Sequence, residues 1–256
     1  MPWLGAAVHA VPGSVTQTAA DGAGLLTWAA TPTRRRATAA NYAALLHQAP
    51  RAPAIHRLVR QAFKHYGRMA LAFFALTQTS DDDLLAQAQV SGREQLDEAL
   101  RHGNGAILTM PHLGNWDLAA RLCLALGYPL TAVVEDDWSA AFAGQARTGS
   151  GLRVLPRARS LRPLLRALAR NEPVALLCDV VPPGAHGVPV CFAGQRAFLP
   201  VGPARLAIAS RAPLIPCAAV TLADGRPGIS ATDAIYPPAG TSAGKALPQQ
   251  VQFLMQ

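Results

Sequence analysis

The chain has 256 residues, half of them hydrophobic and 15% charged, which supplies one sizeable α/β core and excludes a disordered polyelectrolyte. Its 23 Lys and Arg against 15 Asp and Glu give a formal charge of +8 and a pI near 10.0, so the polyanions open to it are nucleic acid, an anionic lipid surface or a phosphate-rich small molecule. No run reaches the roughly 20 apolar residues that cross a bilayer, and the start, Met1 to Gly13, has neither the basic flank nor the apolar stretch of a signal peptide.

Residues 1–40 are rich in Ala, Gly and Thr, end in Arg34-Arg35-Arg36, and read as a loosely packed helical region. From Asn41 to about Thr79 the pattern is helical, with Ile55, Leu58, Val59, Ala62, Phe63 and Tyr66 at spacings of three and four. Arg57, Arg60, Lys64 and Arg68 fall largely between them. Residues 1–80 hold eight basic side chains against the single acid Asp21. An apolar stripe beside cations suits a lipid interface; it equally suits a helix packed on a core with a solvated basic face.

Ser80-Asp81-Asp82-Asp83 is a helix N-cap signal, and a further helix is expected near 91–101. Short apolar runs then read as strands at 106–110, 131–134, 174–178 and 214–220. Helical stretches at 116–126, 160–170 and 203–210 alternate with them. That alternation predicts an α/β fold with a mainly parallel central sheet flanked by helices and a helical N-terminal region. The organisation expected is a basic, membrane-facing helical region over 1–80 and an α/β core over 81–256, together one structural domain. Residues 222–248 read as turns around one strand near Ile229–Ile235. The four cysteines, Cys123, Cys178, Cys191 and Cys217, form no CxxC pair and lie mostly in apolar stretches, which predicts buried reduced thiols and no zinc or other metal site.

The chemistry concentrates between Gly105 and Asp117. A buried strand ends at Pro111, which places His112 at its carboxyl end, where open α/β sheets hold ligands. Gly114 permits a tight turn, Asn115 can cap the next helix, and Asp117 falls in that helix's first turn. A hydroxyl becomes a nucleophile when a base takes its proton, and a neutral imidazole is such a base. A carboxylate on the other ring nitrogen fixes the tautomer and stabilises the imidazolium. The spacing therefore nominates His112 as general base and Asp117 as its orienting carboxylate. An ordinary surface pair has the same spacing; the position between a buried strand and a capped helix favours the catalytic reading. No GxSxG elbow accompanies them, so the substrate's own hydroxyl would attack.

The H-x4-D spacing resembles the signature of the lysophospholipid acyltransferase superfamily. Met110 to Ala120, MPHLGNWDLAA, is similar to the corresponding block of bacterial lipid A lauroyl/myristoyl acyltransferases and phosphatidylinositol mannoside acyltransferases. Further blocks follow in order: Val133-Val134-Glu135; Arg147 ahead of Gly151 to Pro156; Asn171 to Asp179, leading to a family D-R-D; Gly187 to Gly194; and Leu199 to Ala207. The resemblance covers roughly 41–235. Of the D-R-D only Asp179 is kept, with Val180 and Val181 in place of the rest. Pro189 stands where the mannoside enzymes have a glutamate, and the chain stops at Gln256 before the family's final helix. These departures leave the acceptor open.

The resemblance implies transfer of a fatty acyl group from acyl-CoA or an acyl carrier protein to a hydroxyl of a membrane glycolipid or lysophospholipid, with an apolar groove to hold the acyl chain. It implies no cofactor, and a peripheral location at the cytoplasmic face of a bacterial plasma membrane. It implies that Arg147 binds phosphate, Glu135 a sugar hydroxyl, and that Asn115 and Asp179 belong with them to the substrate-binding set. A surface salt bridge for Arg147, a solvated acid for Glu135 and a turn cap for Asp179 are the plainer roles. Two other functions fit the same sequence: a lipid-binding relative with weakened catalysis, and a nucleic-acid-binding module. The second is disfavoured by 6% aromatic content and the absence of a recognition motif.

Overall fold

The computed structural model describes residues 13–76, 79–134, 150–222 and 226–238. They divide into two compact units, one holding residues up to 78 with 191–197, the other 79–190 with 198 onward.

The first unit is built from α1 (Gly13–Ala30), α2 (Pro32–Leu45) and α3 (Pro53–Leu76). Two expectations change here. The region up to residue 40 is defined helix from Gly13, and the helix expected across 41–79 breaks between Leu45 and Pro53. His47 takes a left-handed φ of 50°, and Pro50 and Pro53 withhold backbone donors, so the helix restarts with Pro53 at its first position. The apolar stripe of α3 is covered: Ile55, Val59 and Phe63 are buried, with Trp28, Ala39 and Tyr42 packed on them. Tyr66, placed on that stripe by its spacing, is 51% exposed. Helices α1 and α3 approach closely at Gly24 and Gly67, where an added Cβ would stand 2.2 Å from the Phe63 and Ala20 carbonyl oxygens respectively. Asp21 ties the same helices, accepting from Arg68 Nε and Nη2 at 2.5 and 2.9 Å with Lys64 Nζ 3.3 Å away. Arg34, Arg36, Arg51 and Arg57 remain exposed. Among the described residues no helix is long and apolar enough to cross a membrane.

The second unit begins with α4 (Asp81–Gln87), capped by Ser80, whose Oγ accepts from the Asp83 N–H at 3.1 Å. In chain order follow β1 (Gln89–Ser91), α5 (Arg93–Arg101), β2 (Ala106–Met110), α6 (Trp116–Ala125), β3 (Thr131–Val134) and β4 (Arg153–Pro156). A 3₁₀ turn (Arg157–Arg159) leads to α7 (Leu161–Ala169) and β5 (Pro173–Leu177). Then come β6 (Gly187–Phe192) and β7 (Gln195–Pro200), a pair divided between the units because residues 191–197 belong to the first, and α8 (Gly202–Ser210), β8 (Leu214–Thr221) and β9 (Pro227–Ala231). The expected α/β elements all form. Periodicity missed β1, β4 and the β6–β7 pair because each is short or half-exposed and lacks a long apolar run. The strand expected near 229–235 is β9, and Ile235 adds only an isolated bridge to Leu214.

The main sheet has the order β1-β9-β8-β2-β5-β3-β4, parallel throughout except for the β8–β9 pair. Its two faces carry separate cores, as the two-residue side-chain period requires. Ile107, Val174 and Leu214 pack with Leu164 and Leu168 of α7 and Leu206 of α8. Leu108 and Ile215 pack on the opposite face with Leu96 and Ala99 of α5. The chain leaves β2 toward β3, passing β5, and later leaves β5 toward β8, passing β2. The sheet's switch point therefore lies between β2 and β5, and open α/β sheets place ligands at the carboxyl ends of such neighbours.

Three cysteines are partly covered, whereas Cys191 is exposed on β6, which corrects the expectation of buried thiols at that position. Burial pushes the Cys123 and Cys178 thiols up to about 11 and Cys217 up to about 12, and a protonated thiol is a poor nucleophile. Alkylation of the native protein with iodoacetamide, followed by peptide mass spectrometry, should label Cys191 first. The other three should react at comparable rates only after unfolding.

Candidate active site

Strands β2 and β5 pair in parallel with Met110 opposite Leu177, and the Cys178 N–H continues the ladder onto the Met110 carbonyl at 3.0 Å. Two residues beyond that pair on each chain segment, His112 and Asp179 stand side by side. The His112 backbone N–H donates to Asp179 Oδ2 at 2.9 Å, and His112 Nδ1 lies 2.6 Å from Asp179 Oδ1. The H-x4-D spacing predicts Asp117 as the carboxylate on His112; the one the structure sets on Nδ1 is Asp179. A parallel ladder brings together residues far apart in sequence, and a local spacing carries no trace of it.

The two hydrogen bonds fix both the backbone and the ring of His112 with one carboxylate. Partial burial pushes the Asp179 carboxyl up, but the His112 side-chain and backbone hydrogen bonds outweigh it and hold the group below the ordinary carboxylate range. The side chains are 43% and 35% exposed, so both partners reach the site's surface. With Nδ1 engaged by an acceptor, Nε2 is the nitrogen left for a substrate proton. The Trp116 ring meets the imidazole edge-on, with centroids 5.4 Å apart.

The turn between β2 and α6 is built for this. Gly114 has a φ of 67°, and an added Cβ would stand 2.2 Å from the Ala219 carbonyl oxygen, so any side chain there would displace the turn. Asn115 caps α6, its Oδ1 accepting from the Leu118 N–H at 3.0 Å. Its side-chain oxygen is thus engaged by the helix. Asp117 lies in the first turn of α6.

His112, Trp116 and Asp117 line a cavity of about 670 Å³, a size typical of small-molecule sites. Its walls are mainly apolar: Leu108, Met110, Ala132, Ala175 and Ile215 come from the sheet. Spacing gave no sign of this cavity, because its lining is dispersed over nearly every element of the unit. Glu135 and Arg147 lie outside the described residues. Among the described residues no group of three or more His, Cys, Asp or Glu side chains is placed to hold a metal ion.

The Asp179 carboxyl is held below its ordinary value of 3.8, so the pair stabilises the fold fully at neutral pH. As pH falls past that value the unfolded chain takes up the proton first, and the contribution is lost on passing the lower native value. Asp179→Asn should therefore lower the urea midpoint at pH 7, and the gap from wild type should close in acid. A gap constant with pH would contradict the pairing.

The family model described as bacterial lipid A biosynthesis acyltransferase matches residues 2–253. A phosphatidylinositol mannoside acyltransferase of Mycolicibacterium smegmatis is 32% identical over 197 residues, covering 73% of this chain and 62% of that protein. A phosphatidylinositol mannoside acyltransferase of Mycobacterium tuberculosis strain H37Rv is 33% identical over 168 residues, 62% of this chain and 53% of that protein. The chain thus spans between half and two thirds of the length of these relatives. With its matched length taking in both units, the chain belongs to the bacterial lipid A biosynthesis acyltransferase family.

Proposed function

We propose that the protein transfers a fatty acyl group from an acyl thioester, acyl-CoA or an acyl carrier protein, to a hydroxyl of a glycolipid or lysophospholipid. The observation that carries this reading is His112, held by Asp179 through two hydrogen bonds at an apolar cavity. A base fixed beside a lipid-compatible space is what direct acyl transfer needs. The names of the relatives make a phosphatidylinositol mannoside acceptor the first to try.

In this mechanism Asp179 accepts the Nδ1 hydrogen bond and keeps the ring in the tautomer with Nε2 bare. Nε2 removes the acceptor's hydroxyl proton as its oxygen forms a bond to the thioester carbonyl carbon. The tetrahedral intermediate collapses with cleavage of the carbon–sulfur bond, and His112 returns its proton to the departing thiolate. Asp117, on the cavity wall, adds a second negative charge that favours the imidazolium formed during attack. The positive dipole end at the start of α6 favours the developing oxyanion. Glu135 and Arg147 keep the sugar and phosphate roles that the resemblance implies. No cofactor or metal enters any step.

The same reading makes the protein peripheral to an anionic membrane, at the cytoplasmic face where thioester donors are made. Arg34, Arg36, Arg51 and Arg57, exposed in the first unit, supply cations for such a surface. The apolar stripe of α3 is covered by other helices of that unit, so the attraction rests on charge.

The test is thiol release from palmitoyl-CoA and from a palmitoylated carrier protein, with a panel of acceptor lipids and wild type beside His112→Ala. Release should require both acceptor and His112, and the substitution should lower it by about 10²- to 10⁴-fold. If no acceptor raises wild type above the variant with either donor, transfer is ruled out and a lipid-binding role takes its place.

A further inference from the structure

The second unit carries a charge imbalance of its own. Between residues 138 and 171 the chain holds seven arginines, no lysine and no acid. Glu172, the first acid after them, is taken by Arg153 and Arg170, each through Nη2 at 2.9 Å. Arg159, Arg162 and Arg166 are exposed and meet no carboxylate among the described residues.

These three form a line. Arg162 and Arg166 stand one turn apart on α7, and Arg159 in the preceding 3₁₀ turn extends the line past the helix start. The opposite face of α7, with Leu164, Ala167 and Leu168, is buried in the core, so the three guanidinium groups share the solvent side. Cations one turn apart repel each other when no acid stands between them. A cation at a helix start also opposes the helix dipole. The line therefore adds nothing to local stability, and its charge is open to an anionic partner.

Its place narrows that partner. Arg157, Ser160, Leu161 and Leu164 line the same cavity as His112, and Leu161 is 62% exposed, so the start of α7 borders the site. Arg159, Arg162 and Arg166 line no part of that cavity. A free coenzyme's phosphates call for a concave site, whereas this line follows the convex side of a helix over about 10 Å at its rise of about 1.5 Å per residue. A helix lying on lipid turns an apolar face to it, and the apolar face of α7 is committed to the core. An exposed line of one sign beside a site suits the acidic surface of a protein that brings its cargo to that site.

Resting on the acyl-transfer reading, we infer that the preferred donor is an acyl carrier protein whose acidic face docks on Arg159, Arg162 and Arg166. Its acyl arm passes Arg157 and Leu161 to reach His112. The transfer step is unchanged: the carbon–sulfur bond breaks, and the thiolate left on the carrier's arm takes the proton from His112.

The experiment compares the wild-type chain with Arg159→Glu/Arg162→Glu/Arg166→Glu and with the charge-keeping Arg159→Lys/Arg162→Lys/Arg166→Lys. Anisotropy of a fluorescently labelled palmitoyl carrier protein reads docking without acceptor or turnover. Transfer is followed from palmitoyl carrier protein and from palmitoyl-CoA, and flotation on vesicles of phosphatidylcholine and phosphatidylglycerol reads lipid binding. The glutamate variant should weaken carrier binding by about tenfold or more and lower the carrier-to-CoA ratio of kcat/KM by a similar factor. The lysine variant should recover most of both. A wild type that does not bind the carrier, an unmoved ratio, equal loss in both variants, or a loss confined to palmitoyl-CoA or to the vesicles overturns the docking surface. If carrier binding responds as stated while wild type transfers from neither donor, the docking surface stands and the transfer reading fails.

Discussion

The pairing of β2 with β5 is the constraint on which the site depends. Its register sets Met110 opposite Leu177, and the same register carried two residues further sets His112 beside Asp179. A slip of one residue would turn the side chains of one strand to the other face and separate the base from its carboxylate. The pairing is held by burial: Ile107 and Val174 are fully covered within one core, and Leu108 lies in the core on the opposite face. The connections out of β2 and β5 run in opposite directions, so the site opens where neither helix covers the strand ends. Hydrophobic packing in the sheet thus becomes geometric precision at an imidazole.

The cavity completes that arrangement. Bulky side chains at Ala132 and Ala175 would seal the α6 side of the sheet and add burial. The chain instead keeps small residues there, and Tyr128, whose hydroxyl accepts from Arg93 Nε, also lines the cavity. Interior space is unfavourable for stability, and its retention beside a fixed base indicates a ligand that fills it.

Much of this was legible in the sequence. Apolar runs bounded by turn residues revealed β2, β3, β5 and β8, and their alternation with helices revealed the parallel sheet. His112, Gly114 and Asn115 were legible because a turn and a cap are local. The Asp179 partnership was not, since parallel neighbours are distant in sequence and the H-x4-D spacing offered a nearer acid, Asp117. The covered stripe of α3 was open between two readings because amphipathicity does not say what lies against the apolar face; Trp28 and Tyr42 do. An apolar groove was expected from the resemblance alone; which residues line the cavity was not legible, because that depends on what side chains leave empty.

The most direct measurement of the central claim is the tautomer of the His112 ring, read by nitrogen NMR on protein labelled at histidine, with His112→Ala to assign the signals. Asp179 at Nδ1 predicts a neutral ring protonated at Nδ1 and bare at Nε2, with Asp179→Asn weakening that preference. A neutral ring protonated at Nε2 would leave no base facing the substrate and would contradict the account.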